Sequence, residues 1–424
     1  VSGPLSGCDV PVPERYDVAL LDLDGVVYLG GDGIPGAAEA LAKVRDAGLR
    51  CVFVTNNASR SPEEVAALLT RLGVPADAED VVTSAQAAAH VLADRLPAGA
   101  KVLVVGTGAL AKEVARRGLT PVDSADDDPE AVVQGYSPDL SWRQLAEAAV
   151  AIRRGALWVA TNLDLTVPSA RGPLPGNGSL VRAVQGAAET EPLVTGKPEP
   201  AMHRELMERT GARRPLIVGD RLDTDIEGAN RAGVASLLVL TGVTTPADLL
   251  AAGPLHRPTH LAAGLADLLV PEPRPRREPS GAWACGGFVV TETGEGMRLS
   301  GGGDRPVDAL RALCAACWEA ADATRPGEHA CAPAGPRRTG DAAAVADGAV
   351  ADGGVADGAD GAAAGSRRGS AVNDGRAVAA RRPRVVVDGQ PAVAALRELG
   401  LEPPDAATTE PTSASAGRTH SPAP

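Results

Sequence analysis

Four short, near-continuous apolar runs set the rhythm of this chain, at residues 18–23, 51–54, 216–219 and 235–240. Runs of that length without polar alternation predict strands buried on both faces, as in a parallel sheet covered by helices. Helical patterns follow them, for example residues 37–47 with Gly48 as the stop. Ser61-Pro62-Glu63-Glu64 opens another helix, with Ser61 at the N-cap, Pro62 in the first turn and Glu64 closing a capping box. Residues 102–105 and 157–160 add two strands, and between them lies a helix opened by Ser141 with Gln144 and closed near Gly155. The alternation predicts an α/β, doubly wound parallel sheet.

The pattern changes after Pro271. Pro271-Glu272-Pro273-Arg274-Pro275-Arg276-Arg277 reads as an extended linker. Residues 282–293 then suggest a hairpin, and 307–321 a helix. A run rich in Ala, Gly and Asp follows, too poor in large apolar residues to pack. Residues 385–387 and 392–399 resume the strand and helix pattern before a Ser/Thr/Pro-rich tail.

Composition narrows the partners. The 424 residues carry a net charge of -13, which argues against nucleic acid and anionic membranes. No window approaches the ~20 apolar residues of a membrane span. Leu5-Ser6-Gly7-Cys8 has the look of a lipoprotein box but lacks a charged and apolar region before it, so lipidation is not expected. Six scattered cysteines read as reduced thiols, which predicts a cytoplasmic protein.

The candidate chemistry sits where the apolar runs end. Asp22 and Asp24 share one face of the first strand end, and two close carboxylates need a proton or a cation between them. A hard divalent ion such as Mg2+ suits oxygen ligands. Thr55, Asn56 and Asn57 end the second run, placed to donate to a phosphate ahead of a helix start. Lys197 lies in Thr195-Gly196-Lys197-Pro198; the chain's other lysines are Lys43, Lys101 and Lys112 amid abundant arginine. A lysine kept in such a composition points to a site needing a compact ammonium. Asp220 and Asp225 follow the run at 216–219, at the carboxyl end of a strand, where open α/β sheets bind ligands.

These four segments, in this order, resemble the motifs of the haloacid dehalogenase superfamily of phosphotransferases. Asp-Gly-Val-Val-Tyr after Asp22, Thr55-Asn56-Asn57, Gly196-Lys197-Pro198 and Gly219-Asp220 with Thr224-Asp225 are similar to the p-nitrophenylphosphatase, phosphoglycolate and sugar phosphatase subgroup. Ala160-Thr161-Asn162-Leu163-Asp164 and Pro175-Gly176-Asn177-Gly178-Ser179 are also typical of that subgroup. The resemblance covers roughly residues 15–272 and implies a Rossmann-like core at 15–60 and 195–272. A large inserted α/β cap domain would span 61–194, followed by a linker at 273–281. It further implies an aspartyl-phosphate at Asp22, acid–base work by Asp24 and Mg2+ held by Asp22, Asp24, Asp220 and Asp225. Thr55, Asn56, Asn57 and Lys197 would hold the phosphoryl group. Asn162 and Asp164 would select the substrate from the cap, or serve only to make a turn.

The C-terminal part, 282–331 with 383–402, is similar to the appendage of actinobacterial glycerol 3-phosphate phosphatases. That appendage is a reduced acetyltransferase fold, so a small α+β module is expected. No Arg/Gln-x-x-Gly-x-Gly/Ala loop for acetyl-CoA is recognised there, and the module is read as non-catalytic. Residues 332–382 would be a low-complexity insert and 403–424 a disordered tail. Cys314 and Cys317 with His329 and Cys331 could be drawn as a zinc site. A helix face of small apolar residues is the stronger reading, and Gly106-Thr107-Gly108 is read as a tight turn, not a nucleotide loop. The expected substrate is a small phosphorylated metabolite, glycerol 3-phosphate first, with phosphoglycolate, sugar phosphates and nucleotides behind it. A homo-oligomer is compatible with the sequence. An acetyltransferase or partner-binding role for the module is the reading of a different class.

Overall fold

A computed structural model describes residues 5–167, 171–324 and 383–401. Its central sheet has six parallel strands in the order His260–Ala262, Ala235–Val239, Pro215–Gly219, Val18–Asp22, Arg50–Thr55, Val81–Thr83. The chain starts in the middle, winds outward to one edge, then returns to the other side of Val18–Asp22 and winds outward again. That reversal opens a crevice at the carboxyl ends of the central strands. Alternate residues feed opposite faces: Ala19, Leu21, Phe53 and Val218 pack on one side. Leu20, Val52, Val54 and Ile217 pack on the other, against Met202 and Leu206. Burial on both faces is why these strands read as unbroken apolar runs.

A second parallel sheet runs Leu193–Val194, Leu157–Ala160, Ala131–Gln134, Lys101–Val105, Thr120–Val122. It forms the cap. The expected start of the cap at residue 61 is corrected, because Val81–Thr83 is the edge strand of the central sheet, paired in parallel with Arg50–Thr55. A strand of three residues is too short to leave a periodic signal. The helix starts follow the sequence: Ser61 and Glu64 form a full capping box, as do Ser141 and Gln144. Thr107 precedes the cap helix Gly108–Arg116 and donates from Oγ1 to the Ser59 carbonyl (3.1 Å), so this turn touches the core.

The C-terminal module is an antiparallel meander of Arg276–Arg277, Trp283–Cys285, Phe288–Thr293 and Gly296–Gly301. The helix Pro306–Ala323, the strand Val385–Val387 parallel to Gly296–Gly301, and the helix Gln390–Glu398 complete it. The expected linker is corrected: Arg276–Arg277 is paired into this sheet, and Cys285 Sγ reaches the Pro273 carbonyl at 3.4 Å. Cys314 and Cys317 lie in an apolar cluster with Leu310, Leu313 and Trp318. Burial pushes both thiols up, Cys317 to about 12. His329, Cys331, the insert at 332–382 and the tail at 403–424 lie outside the described residues.

The missing acetyl-CoA pattern is also corrected, since Arg298-Leu299-Ser300-Gly301-Gly302-Gly303 has that spacing. The glycines serve packing. A Cβ on Gly301 or Gly303 would overlap the carbonyls of Gly287 and Gly286, and one on Gly302 would sit 2.7 Å from Pro391 Cβ. The flanking strands are hydrogen-bonded in register from Met297↔Val385 to Leu299↔Val387.

Candidate active site

Asp22 ends the central strand and Gly25 turns the chain away with φ +82°. A Cβ at Gly25 or Gly242 would overlap the Asp220 carboxylate, so both glycines are required by close approach. Lys197 enters from the cap-to-core return. Its Nζ donates to Asp22 Oδ1 at 2.5 Å and to Asp225 Oδ1 at 2.7 Å. Asp225 packs under Gly219, and its Oδ2 accepts the Arg221 N–H at 3.2 Å. Asp220 is fully buried. Its Oδ2 accepts the Val243 N–H at 2.6 Å, while Oδ1 has no hydrogen-bond partner among the described residues.

Carboxylate oxygens of Asp22, Asp220 and Asp225 lie within 4.8 Å of one another. Three carboxylates face one ammonium there, an excess of two negative charges. Burial pushes Asp22 well above the ordinary carboxylate range; Lys197 opposes this, and the charges of Asp225 and Asp220 add to it. Burial and Asp225 likewise push Asp220 to about 6. Asp22 and Asp225 hold Lys197 charged, outweighing the burial that favours the neutral amine. A buried, unpartnered carboxylate oxygen in a site with two uncompensated negative charges fits a hard divalent cation. Asp24 stands apart from this cluster. Burial pushes its carboxyl up against the Gly30 N–H, Arg60 and Lys197.

The polar residues after Arg50–Thr55 divide their work. Thr55 Oγ1 accepts the Asn57 N–H at 3.1 Å, which leaves the hydroxyl proton for a ligand. Asn57 Oδ1 accepts from the N–H and hydroxyl of Ser59 at 2.8 and 2.7 Å, shaping the turn. The Asn56 side chain is already spent on protein: Oδ1 accepts the Lys197 N–H (2.8 Å) and Nδ2 donates to the Lys197 carbonyl (3.2 Å). That leaves the main-chain N–H of Asn56, and not its carboxamide, for the phosphate contact expected of this residue. Asn162 is buried too, donating to the Asn56 carbonyl at 2.7 Å and accepting the Asp164 N–H at 3.1 Å. These are the contacts of a turn and a tie between cap and core. Asp164 accepts from Asn56 Nδ2 at 3.3 and 3.4 Å, and burial pushes its carboxyl up against the pull of Arg221.

Sequence reasoning missed the loop after Ala235–Val239. Val243 holds Asp220 there, and Thr241 Oγ1 donates to the Gly25 carbonyl at 2.6 Å. The signal was available in Thr241-Gly242, a small pair at the carboxyl end of a strand beside the crevice. A further cluster, His90 with Glu205 and Glu208, lies between the helices Ser84–Ala93 and Pro200–Thr210. Arg117 binds Glu205 at 3.1 Å and supplies the cation that this cluster needs.

Comparison with known proteins gives the family of the chain. A haloacid dehalogenase-like hydrolase model matches residues 19–120, and a second model of that hydrolase type matches 194–268. The D-glycerol 3-phosphate phosphatase of Mycobacterium tuberculosis is 49% identical over 315 residues, 73% of this chain and 88% of that protein. The chain therefore belongs to the haloacid dehalogenase-like hydrolases, and it is a phosphatase. A 5'-nucleotidase of Bacillus subtilis is 35% identical, covering 60% of this chain and 98% of its own length. Among solved structures, a glycerol phosphate phosphatase from M. tuberculosis in complex with magnesium has a TM-score of 0.71 at 40% identity. The match covers 92% of this chain and 99% of that one. The 4-nitrophenylphosphatase of Thermotoga maritima gives 0.57 at 32%, covering 61% and 98%. Residues 285–334 match a GCN5-related N-acetyltransferase-like domain, with positions from 325 onward outside the described residues.

Proposed function

We propose that this phosphatase hydrolyses glycerol 3-phosphate to glycerol and phosphate through an aspartyl-phosphate on Asp22. The observation that carries the chemistry is Lys197 Nζ bridging Asp22 and Asp225 beside the unpartnered Asp220 Oδ1. The substrate rests on the M. tuberculosis relatives, whose names specify glycerol phosphate. Mg2+, the ion in complex with one of those relatives, would be held by the carboxylates of Asp22 and Asp220 and the main-chain carbonyl of Asp24. When bound it offsets the excess negative charge and neutralises charge on the transferring group. Asp225 is occupied by Lys197 and the Arg221 N–H, so its part is to orient the lysine.

With Lys197 on Oδ1, the other Asp22 oxygen is free to attack phosphorus. An oxygen–phosphorus bond forms to Asp22 as the bond to the substrate alkoxide breaks. Asp24, whose carboxyl burial pushes toward the protonated form, gives its proton to that alkoxide. Glycerol leaves, and the Asp24 carboxylate then takes a proton from water as the water oxygen attacks phosphorus, returning Asp22 and releasing phosphate. Thr55 Oγ, the main-chain N–H of Asn56 and Lys197 Nζ steady the phosphoryl oxygens.

The net charge of -13 argues against a nucleic-acid partner, and no helix among the described residues is long and apolar enough to cross a membrane. The five cysteines among the described residues are free and buried, which suits a reducing compartment, the cytoplasm. We assign the module no acetyl transfer, because its glycine loop is packed against Pro391 and the turn at Gly286–Gly287. Phosphate release from glycerol 3-phosphate, phosphoglycolate, sugar phosphates, nucleotides and p-nitrophenyl phosphate tests the reading. The highest kcat/KM is expected for glycerol 3-phosphate. A value no better than for p-nitrophenyl phosphate removes the substrate assignment.

A further inference from the structure

Lys197 is placed by its backbone as much as by its ammonium. The Asn56 carboxamide grips both sides of that backbone, accepting the Lys197 N–H at 2.8 Å and donating to the Lys197 carbonyl at 3.2 Å. Asn56 is itself held through its own main-chain carbonyl, which accepts Ser84 Oγ at 2.6 Å and Asn162 Nδ2 at 2.7 Å. Asn162 follows the cap strand Leu157–Ala160, and its carbonyl accepts Asn177 Nδ2 at 2.8 Å, at the start of the cap helix Asn177–Ala188. Gly196 leaves this chain of bonds little slack. A Cβ there would overlap the Thr161 carbonyl and stand 2.7 Å from Asn56 Oδ1. All of these asparagines are buried, Asn177 and Asn162 at 1% and 3% exposure, where an amide without its partner is costly.

We propose that Asn162 of the cap is a positioning residue for Lys197, acting through Asn56. The cap thereby takes part in aligning the lysine on Asp22, over and above covering the substrate. This rests on the role of Lys197 given under the proposed function. Asn162 is buried and donates to a carbonyl that also accepts Ser84 Oγ, so its loss should disturb the lysine without altering which ester is preferred. The alternative roles leave different marks. A specificity residue changes substrate ratios, and a residue needed only for folding changes stability alone.

A double-mutant cycle on the full chain tests this, with Asn162→Ala, Lys197→Ala and the pair assayed on glycerol 3-phosphate, phosphoglycolate and p-nitrophenyl phosphate. Asn162→Ala should lower kcat by roughly fivefold to tenfold on all three esters, the scale of one lost hydrogen bond. KM should stay within about twofold of the parent value. In the Lys197→Ala background, the same substitution should cost less than about twofold more, because the residue through which it acts is gone. Multiplying losses in the double variant, or altered ratios among esters, would overturn the proposal. Unchanged kcat with only a lowered Tm would do so as well. If Asn162→Ala does not fold, Asn162→Asp keeps the shape, lacks the donor and replaces it in the same cycle. Failure of the parent reading shows separately, as full activity in Lys197→Ala alone.

Discussion

Lys197 binds two carboxylates at once, and the two contacts assign different duties to acids that look alike in the sequence. Asp22 shares its proximal oxygen with the lysine and keeps the other for attack, while Asp225 has both oxygens engaged by Lys197 and the Arg221 N–H. Asp22→Asn should therefore abolish phosphate release, because an amide cannot form the acyl-phosphate. Its Tm should stay close to the parent value, since the shape is unchanged. More than a few per cent of parent activity, in protein shown free of deamidation, would count against Asp22 as nucleophile. Asp24 is separable from it by leaving group. Glycerol leaves as a poor alkoxide that needs the Asp24 proton, whereas p-nitrophenolate leaves with little help. Asp24→Asn should depress the burst or single-turnover rate on glycerol 3-phosphate at least tenfold more than that on p-nitrophenyl phosphate. Equal losses on both esters would remove the general-acid role. Asp22 and Asp24 were legible in the sequence because they sit where an apolar run ends. The duties of Asn56 and Asn162 were not, since nothing in Thr55-Asn56-Asn57 says that the middle side chain turns back to a lysine 141 positions away.

At the scale of elements, the site is assembled from strand ends, and the least legible contribution is the loop following Ala235–Val239. That strand was readable as an apolar run. The use of its loop was not, because the contact with Asp220 is made by a backbone N–H, which any residue at 243 other than proline carries. Gly242 is the exception that leaves a trace. Its Cβ would overlap Asp220 Oδ2, and its φ is not in the left-handed region, so Gly242→Ala strains the carboxylate and not the local backbone. The expected result is at least a tenfold rise in the Mg2+ concentration needed for half-maximal activity, with kcat at saturating Mg2+ falling less. An unchanged Mg2+ activation curve would show that Asp220 does not hold the ion. The short strand Val81–Thr83 shows the converse: Val81, Val82 and Thr83 are fully buried, yet three residues cannot display a period.

At the scale of the molecule, the C-terminal module and the phosphatase core share one apolar cluster. Phe288, Leu310, Leu313 and Trp318 of the module pack with Ile226, Leu238, Leu249 and Leu261 of the core, and Trp318 Nε1 donates to the Leu249 carbonyl at 3.0 Å. A polar seam runs beside it. Tyr16 OH meets His260 Nε2 at 2.7 Å, His260 Nδ1 meets Glu272 at 2.5 Å, and Arg311 Nε of the module donates to Glu272 at 3.1 Å. Glu272 thus joins the edge strand of the core to the long helix of the module. Burial alone would raise its carboxyl, but the His260 hydrogen bond and the Arg311 charge outweigh it and hold the group below 4.5. A carboxyl lowered on folding stabilises the protein above its unfolded value, and that contribution disappears as pH falls through the folded value. The seam should accordingly weaken below about pH 4.5 and contribute fully at neutral pH. Glu272→Gln removes the charge while keeping the shape. It leaves Arg311 with Asp308 and the Leu261 carbonyl, so the cost should lie near the lower end, about 3 kcal/mol, of that for breaking a buried pair. The measurement is thermal unfolding of both proteins from pH 3.5 to 7.5, followed by phosphate release from the survivors. Glu272→Gln should lower Tm most at neutral pH, with the gap closing in acid. A gap that stays constant across the range would mean that the charge of Glu272 does not bind module to core.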